Sequence, residues 1–179
     1  MTYYGARQLA DSFRTVRKNT ITVAEEIPAE RYGFRAASGV RSVGEQLAHI
    51  AVAPQWQIRT HRDGITFIDF QMFGTEFARA AAEEQLLTTK DEIIQALRAN
   101  GDELGAFIET LDEARLGETV GFPPPVQPAV KSRFELLQGV KEHEMHHRAQ
   151  LMLIQRLLGI VPHLTRQREA MAVQASARN

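Results

Sequence analysis

Apolar positions recur at steps of three, four and seven in four long stretches of the chain, and nothing reads convincingly as a strand. The first stretch covers about residues 6–26, with Leu9, Phe13, Val16, Val23 and Ile27 on one face and Pro28 at its end. The second opens at Ser42, three residues ahead of Glu45, the spacing at which two side chains cap each other's backbone N–H groups. Its stripe is Val43, Leu47 and Ile50, with His49, Gln46, Val52 and Trp56 on the neighbouring face. Pro54 cannot donate to the carbonyl four residues back, so a kink or an end is expected there.

The third stretch, about 90–111, repeats the cap with Thr89 and Glu92 and carries Ile93, Leu97, Leu104, Phe107, Ile108 and Leu111, interrupted but not ended by Gly101. The fourth runs from the Ser132–Glu135 cap to about Leu158, where Gly159 and then Pro162 stop it. Between the second and third lies a cluster rich in aromatic residues (Ile65, Phe67, Ile68, Phe70, Met72, Phe73, Phe77) with mixed periodicity, read as core, pocket lining or dimer contact. Residues 117–130 hold Pro123, Pro124, Pro125 and Pro128 and predict a rigid extended crossing, which frees the last long helix from the direction a tight hairpin would impose. A polar tail, 163–179, has room for one more short helix. These elements predict an all-α four-helix bundle with a long proline-rich crossover before the last long helix, as a single domain over 1–179 with its core at about 5–160.

The fourth stripe is interrupted in an informative way. Leu136, Val140, Leu151, Ile154 and Leu158 leave two gaps, filled by His143 and His147. Side chains four apart on a helix stack one turn above each other, close enough to hold one metal ion. One buried imidazole is easily satisfied as a core residue, but two adjacent ones are not. A third ligand must come from another element. His49, inside a core helix, is the candidate; His61 and His163 fall in expected turn or tail, and His146 points about 100° away from His147. Three protein ligands leave a coordination position open, the pattern of a catalytic site.

Composition narrows the chemistry. The chain has 179 residues, net charge −1 and no cysteine, which removes disulfides, thiolate metal sites and a cysteine nucleophile. No basic run supports nucleic-acid binding, no segment approaches the roughly 18 apolar residues that span a bilayer, and the polar N-terminus lacks a signal-peptide core, so a cytoplasmic protein is expected. His143-Glu144-Met145-His146-His147 also satisfies the short H-E-x-x-H pattern of zinc proteases, with Glu144 as general base. The longer form of that motif fails at Gln150 and Leu153, a distant ligand such as Glu169 lies beyond Gly159 and Pro162, and the β-sheet that precedes such motifs is not readable.

His49 within Ser-Val-Gly-Glu-Gln-Leu-Ala-His-Ile, followed about 90 residues later by His143-x-x-x-His147-Arg148-Ala149-Gln150, resembles the DinB/YfiT-like bundle proteins, which are unrelated to the DNA polymerase that shares the name. The resemblance extends over about 5–160, with Ala149 where the family usually has glycine. It implies an up-down-down-up bundle, often a homodimer, holding zinc or nickel through His49, His143 and His147. It further implies a metal-dependent enzyme acting on a small molecule, a thiol-dependent S-transferase or isomerase in which the metal activates a low-molecular-weight thiol. Gln150, on the histidine face, is a candidate helper, whereas Arg148 is expected in a salt bridge or an interface. The alternative is a non-catalytic, stress-related bundle whose metal holds the core; a fourth protein ligand would favour it.

Overall fold

A computed structural model of the protein describes residues 4–177; the extreme ends of the 1–179 assignment lie outside them. The long helices are α1 (Ala6–Glu26), α2 (Val43–Arg62), α4 (Lys90–Glu109) and α6 (Arg133–Leu157). Shorter ones are α3 (Phe70–Gln85), α5 (Glu113–Gly117) and α7 (His163–Ser176). All three Ser/Thr–Glu caps form as the spacing predicts, at Ser42–Glu45, Thr89–Glu92 and Ser132–Glu135. Gly159 ends α6 in the left-handed region at φ 79°, and the Ile160 N–H donates to the Gln155 carbonyl (2.8 Å), a paired closure of the last turn.

Residue pairs between helices set their directions. Arg14 meets Glu109 and Glu25 meets Arg98, so α1 and α4 are antiparallel. Asn100 bonds Ala51 and Glu103 bonds Gln55, with Gly44 beside Ile93, so α2 and α4 run parallel. His49 meets His143 and His61 meets Arg133, so α2 and α6 are antiparallel. Arg17 meets Glu144 and Glu26 meets Gln155, so α1 and α6 are parallel. The result is the up-down-down-up bundle that the resemblance implied.

Three features depart from the sequence reading. Of the kink or end expected at Pro54, the end does not occur: helix α2 runs through to Arg62. The reason is tertiary: the Ile50 carbonyl, which Pro54 cannot serve, accepts from Arg17 Nη2 (3.2 Å), and the adjacent Ala51 carbonyl accepts from Asn100 Nδ2 (2.9 Å). The aromatic cluster is largely a helix, α3, and this element returns the chain between the parallel α2 and α4. The proline-rich connection is free of helix after Gly117, as expected, but its ends are paired: α5 precedes it, and β1 (Thr119–Gly121) runs antiparallel to β2 (Val130–Ser132), Val120 opposite Lys131. It links α4 to an antiparallel α6, so α3 rather than the proline segment sets the unusual direction.

The core is split. One apolar cluster joins Val23, Val43, Leu47, Ile93, Leu97 and Leu151; another joins Leu9, Phe13, Ile58, Leu104, Leu137 and Val140. The buried residues Arg17, Glu144 and Arg148 supply polar groups to the same interior. Gly101 in mid-α4 makes room for this: a Cβ there would stand 2.8 Å from Arg17 Cγ. A third cluster, Ile68, Val120 and Phe122, packs with Trp56, Phe73 and Leu136 beside α2 and α6.

Candidate metal centre

The antiparallel crossing of α2 and α6 brings His49 opposite the His143–His147 turn. His49 Nε2 stands 3.0 Å from His143 Nε2, and His147 Nε2 stands 3.1 Å from the same atom. Two nitrogens bound to one ion at about 2.0–2.1 Å and a tetrahedral angle sit about 3.3 Å apart. Among the described residues these three form the group whose ligand atoms converge, within 4.8 Å of one another.

Hydrogen bonds on the far sides of the rings set which nitrogen is free. His49 Nδ1 lies 2.7 Å from Glu84 Oε1, a carboxylate that only accepts, so Nδ1 carries the proton and Nε2 presents a lone pair. His147 Nδ1 lies 3.0 Å from Gln150 Oε1 and also abuts Gln46 Nε2, which donates to Gln150 Oε1 (3.0 Å), so two side chains brace that ring. Burial, then the neighbouring His147 and His49, push His143 down to about 4, and burial lowers His147 as well. Both imidazoles are therefore neutral at pH 7, the form that binds metal. The donor set fits a divalent ion.

Beside the triad a pocket of about 340 Å³ opens between α2, α3 and α6. His49, His143 and Glu84 are at its metal-binding wall; Val52, Trp56, Phe77, Leu136 and Val140 form its apolar wall. Trp56 is packed edge-on to Phe73 (5.3 Å) and Phe77 (5.7 Å). The aromatic stretch thus supplies both core and pocket lining.

The remaining candidates are placed elsewhere. His61, expected in a turn, is buried in the last turn of α2, where its Nδ1 accepts from Arg133 Nη1 (3.1 Å). His163 begins α7 and meets Asn19 (3.2 Å). His146 contacts Gln150 and stays outside the convergent group. Glu144, the base of the protease reading, is buried against Arg17, with Nη2 to Oε2 at 2.9 Å. Arg148 is buried and donates to the Val16 carbonyl (3.1 Å); burial lowers its pKa, while Glu144 opposes the shift. Glu84 went unseen in the sequence because nothing in Glu83-Glu84-Gln85 separates it from an ordinary solvated helix end. Gln46 was legible only as a residue on the His49 face.

The fold and the site define a class: a helical bundle with a three-histidine centre between two antiparallel helices and a pocket at its side. The chain belongs to the DinB superfamily, whose sequence profile matches residues 12–151. No curated protein sequence matches it. Among solved structures it is similar to a DinB-like protein from Bacillus subtilis, with 21% identity and TM-score 0.63 over 85% of this chain and 92% of that one. An uncharacterized protein from Clostridium difficile shares 13% identity at TM-score 0.66, over 87% of this chain and 98% of that one. A protein from Streptococcus pneumoniae shares 16% identity at TM-score 0.64, over 87% and 93%. At these identities the likeness establishes the fold. No helix among the described residues is long and apolar enough to cross a membrane.

Proposed function

We propose that the protein is a metal-dependent enzyme, a thiol-dependent S-transferase or isomerase, that binds zinc or nickel through His49, His143 and His147. The observation that carries this reading is the Glu84–His49 hydrogen bond of 2.7 Å, which commits Nε2 to the lone-pair form at the point where the other two Nε2 atoms meet. A divalent ion there supplies Lewis acidity, lowering the pKa of a bound thiol or water. The chain's own residues do the rest. Glu84 holds the His49 ring in orientation and tautomer, Gln150 and Gln46 hold the His147 ring in orientation, and Trp56, Phe77 and Leu136 shield a substrate group from water.

The competing view, a bundle whose metal only holds the core, calls for a fourth protein ligand. His61 is engaged by Arg133, and Glu84 sits behind His49 on its Nδ1 side, so neither supports a closed site.

Elemental mass spectrometry of the purified protein tests the centre. About one equivalent of metal per chain, lost in His49→Ala and His143→Ala, is expected. Absence of metal from the wild type, with no uptake of added zinc or nickel, overturns it. Thiol-transfer assays on the loaded protein then test the reaction class.

A further inference from the structure

The β1–β2 hairpin carries its polarity inside out. In an antiparallel pair, directly opposed residues project to the same face of the sheet. Lys131 is opposed to Val120, and Val120 is fully buried with Ile68 and Phe122. Val130, the neighbour that points the other way, is 53% exposed. A lysine therefore occupies the inward face and a valine the outward one, the reverse of what burial alone selects. Such local conflicts mark positions held for something other than folding.

The inward face of Lys131 belongs to the pocket beside the triad, which it lines together with His49, His143, Trp56 and Leu136. The other charged groups of that pocket are engaged. Arg59 is paired with Glu76 (2.6 Å) and lies 3.7 Å from Glu83. Glu84 holds His49, and Glu135 caps α6, accepting from the Ser132 N–H (2.7 Å) and hydroxyl (2.8 Å). Lys131 has no hydrogen bond or ion pair of this kind; its electrostatic neighbour is Glu135. A flexible ammonium with three donors, beside the apolar side chains of Trp56 and Leu136 and among charged groups that already have partners, is a receptor for one anionic group.

We propose that this pocket selects a small organic anion with an apolar body, the hydrocarbon or aromatic part lying against Trp56, Phe77 and Leu136 and the carboxylate meeting Lys131. The inference deepens the enzyme reading by naming the class of its substrate, and it rests on that reading for the role of the triad end. The volume, about 340 Å³, lies at the lower end of small-molecule pockets.

The chain has one tryptophan, Trp56, and it lines this pocket, so its fluorescence reports occupancy directly. Metal-stripped protein is titrated with 4-phenylbutyrate and with the neutral 4-phenylbutanamide, so that coordination by the carboxylate does not contribute. The acid is expected to bind about tenfold more tightly than the amide, the difference of one charge-assisted contact. In Lys131→Met the acid falls to the level of the amide while amide binding is unchanged; Lys131→Arg keeps the preference. Equal binding of acid and amide by the wild type, no binding of either, or a preference that survives Lys131→Met overturns the proposal. Metal uptake is measured on the same preparations. Lost anion preference with metal uptake intact removes the substrate class alone, whereas anion preference in a protein that takes up no metal removes the enzyme reading alone.

Discussion

Arg17 reaches from α1 to hold Glu144 on α6, Nε within 3.0 Å of both carboxylate oxygens and Nη2 at 2.9 Å, in a pair almost wholly removed from solvent. Glu144 follows His143 directly, yet it faces α1 while the histidine faces α2. The H-E-x-x-H spacing is therefore a coincidence of two helix faces: one holds the candidate metal centre, the other completes the polar part of the core. The remaining Arg17 donors go to the Leu97 carbonyl (2.7 Å) and to the Ile50 carbonyl that Pro54 leaves unserved, so one side chain ties all four long helices together.

Breaking that pair strands a buried guanidinium. Glu144→Gln is expected to destabilise the fold by about 3–5 kcal/mol, read as a shift of the urea midpoint, because removing one partner of a buried pair leaves an uncompensated charge. The folded fraction should still take up metal with wild-type stoichiometry. Unchanged stability together with lost metal or lost activity would return Glu144 to the site.

Gly101 depends on the same side chain. Helix propensity alone makes Gly101→Ala favourable by about 0.5–1 kcal/mol. The added methyl would stand 2.8 Å from Arg17 Cγ, on a side chain anchored at both ends. Crowding of this kind costs about 1–3 kcal/mol, so a net loss of stability is expected. A rise in melting temperature would show that Arg17 can move aside.

Glu84 acts through His49. Glu84→Ala frees the imidazole to rotate and to exchange tautomers, and such losses weaken metal affinity by about 10–100-fold. Competition with a chromophoric chelator measures it. Stoichiometry at saturating metal should remain at the wild-type value, which separates an orienting group from a ligand. Gln150→Ala should act in the same direction through His147.

His61 makes the fold sensitive to acid. Burial, with Arg133 and Arg115 nearby, pushes its pKa down from 6.5 to about 4. Between those values the unfolded chain carries a proton at this site that the folded one lacks, so stability falls as pH drops. The contribution is fully present above about 6.5 and declines by at most about 1.4 kcal/mol per pH unit toward 4. His61→Gln, which keeps an acceptor for Arg133 but does not titrate, should make the profile less steep between pH 6.5 and 4.5, leaving the part that His143 and His147 contribute. An identical slope in both proteins would assign the acid sensitivity to other groups.

Features that rest on near neighbours along the chain could be read without the fold. Capping at Ser42, Thr89 and Ser132, the stop at Gly159, the four apolar stripes and the one-turn stacking of His143 and His147 are all set within a few residues, so period and spacing suffice to read them. Tertiary structure alone decided whatever required a partner from elsewhere. Helix α2 survives Pro54 because Arg17 and Asn100 arrive from α1 and α4 to serve its carbonyls. Helix α3 was hidden because its phenylalanines divide between packing and exposure, Phe77 being 61% exposed, which blurs a single-face period. Glu84 and Lys131 look like ordinary surface charges in sequence. They become part of a site only when α3 and the β-hairpin are folded against α2 and α6, because hydrogen bonds and shared pockets depend on distances in space that sequence separation does not fix.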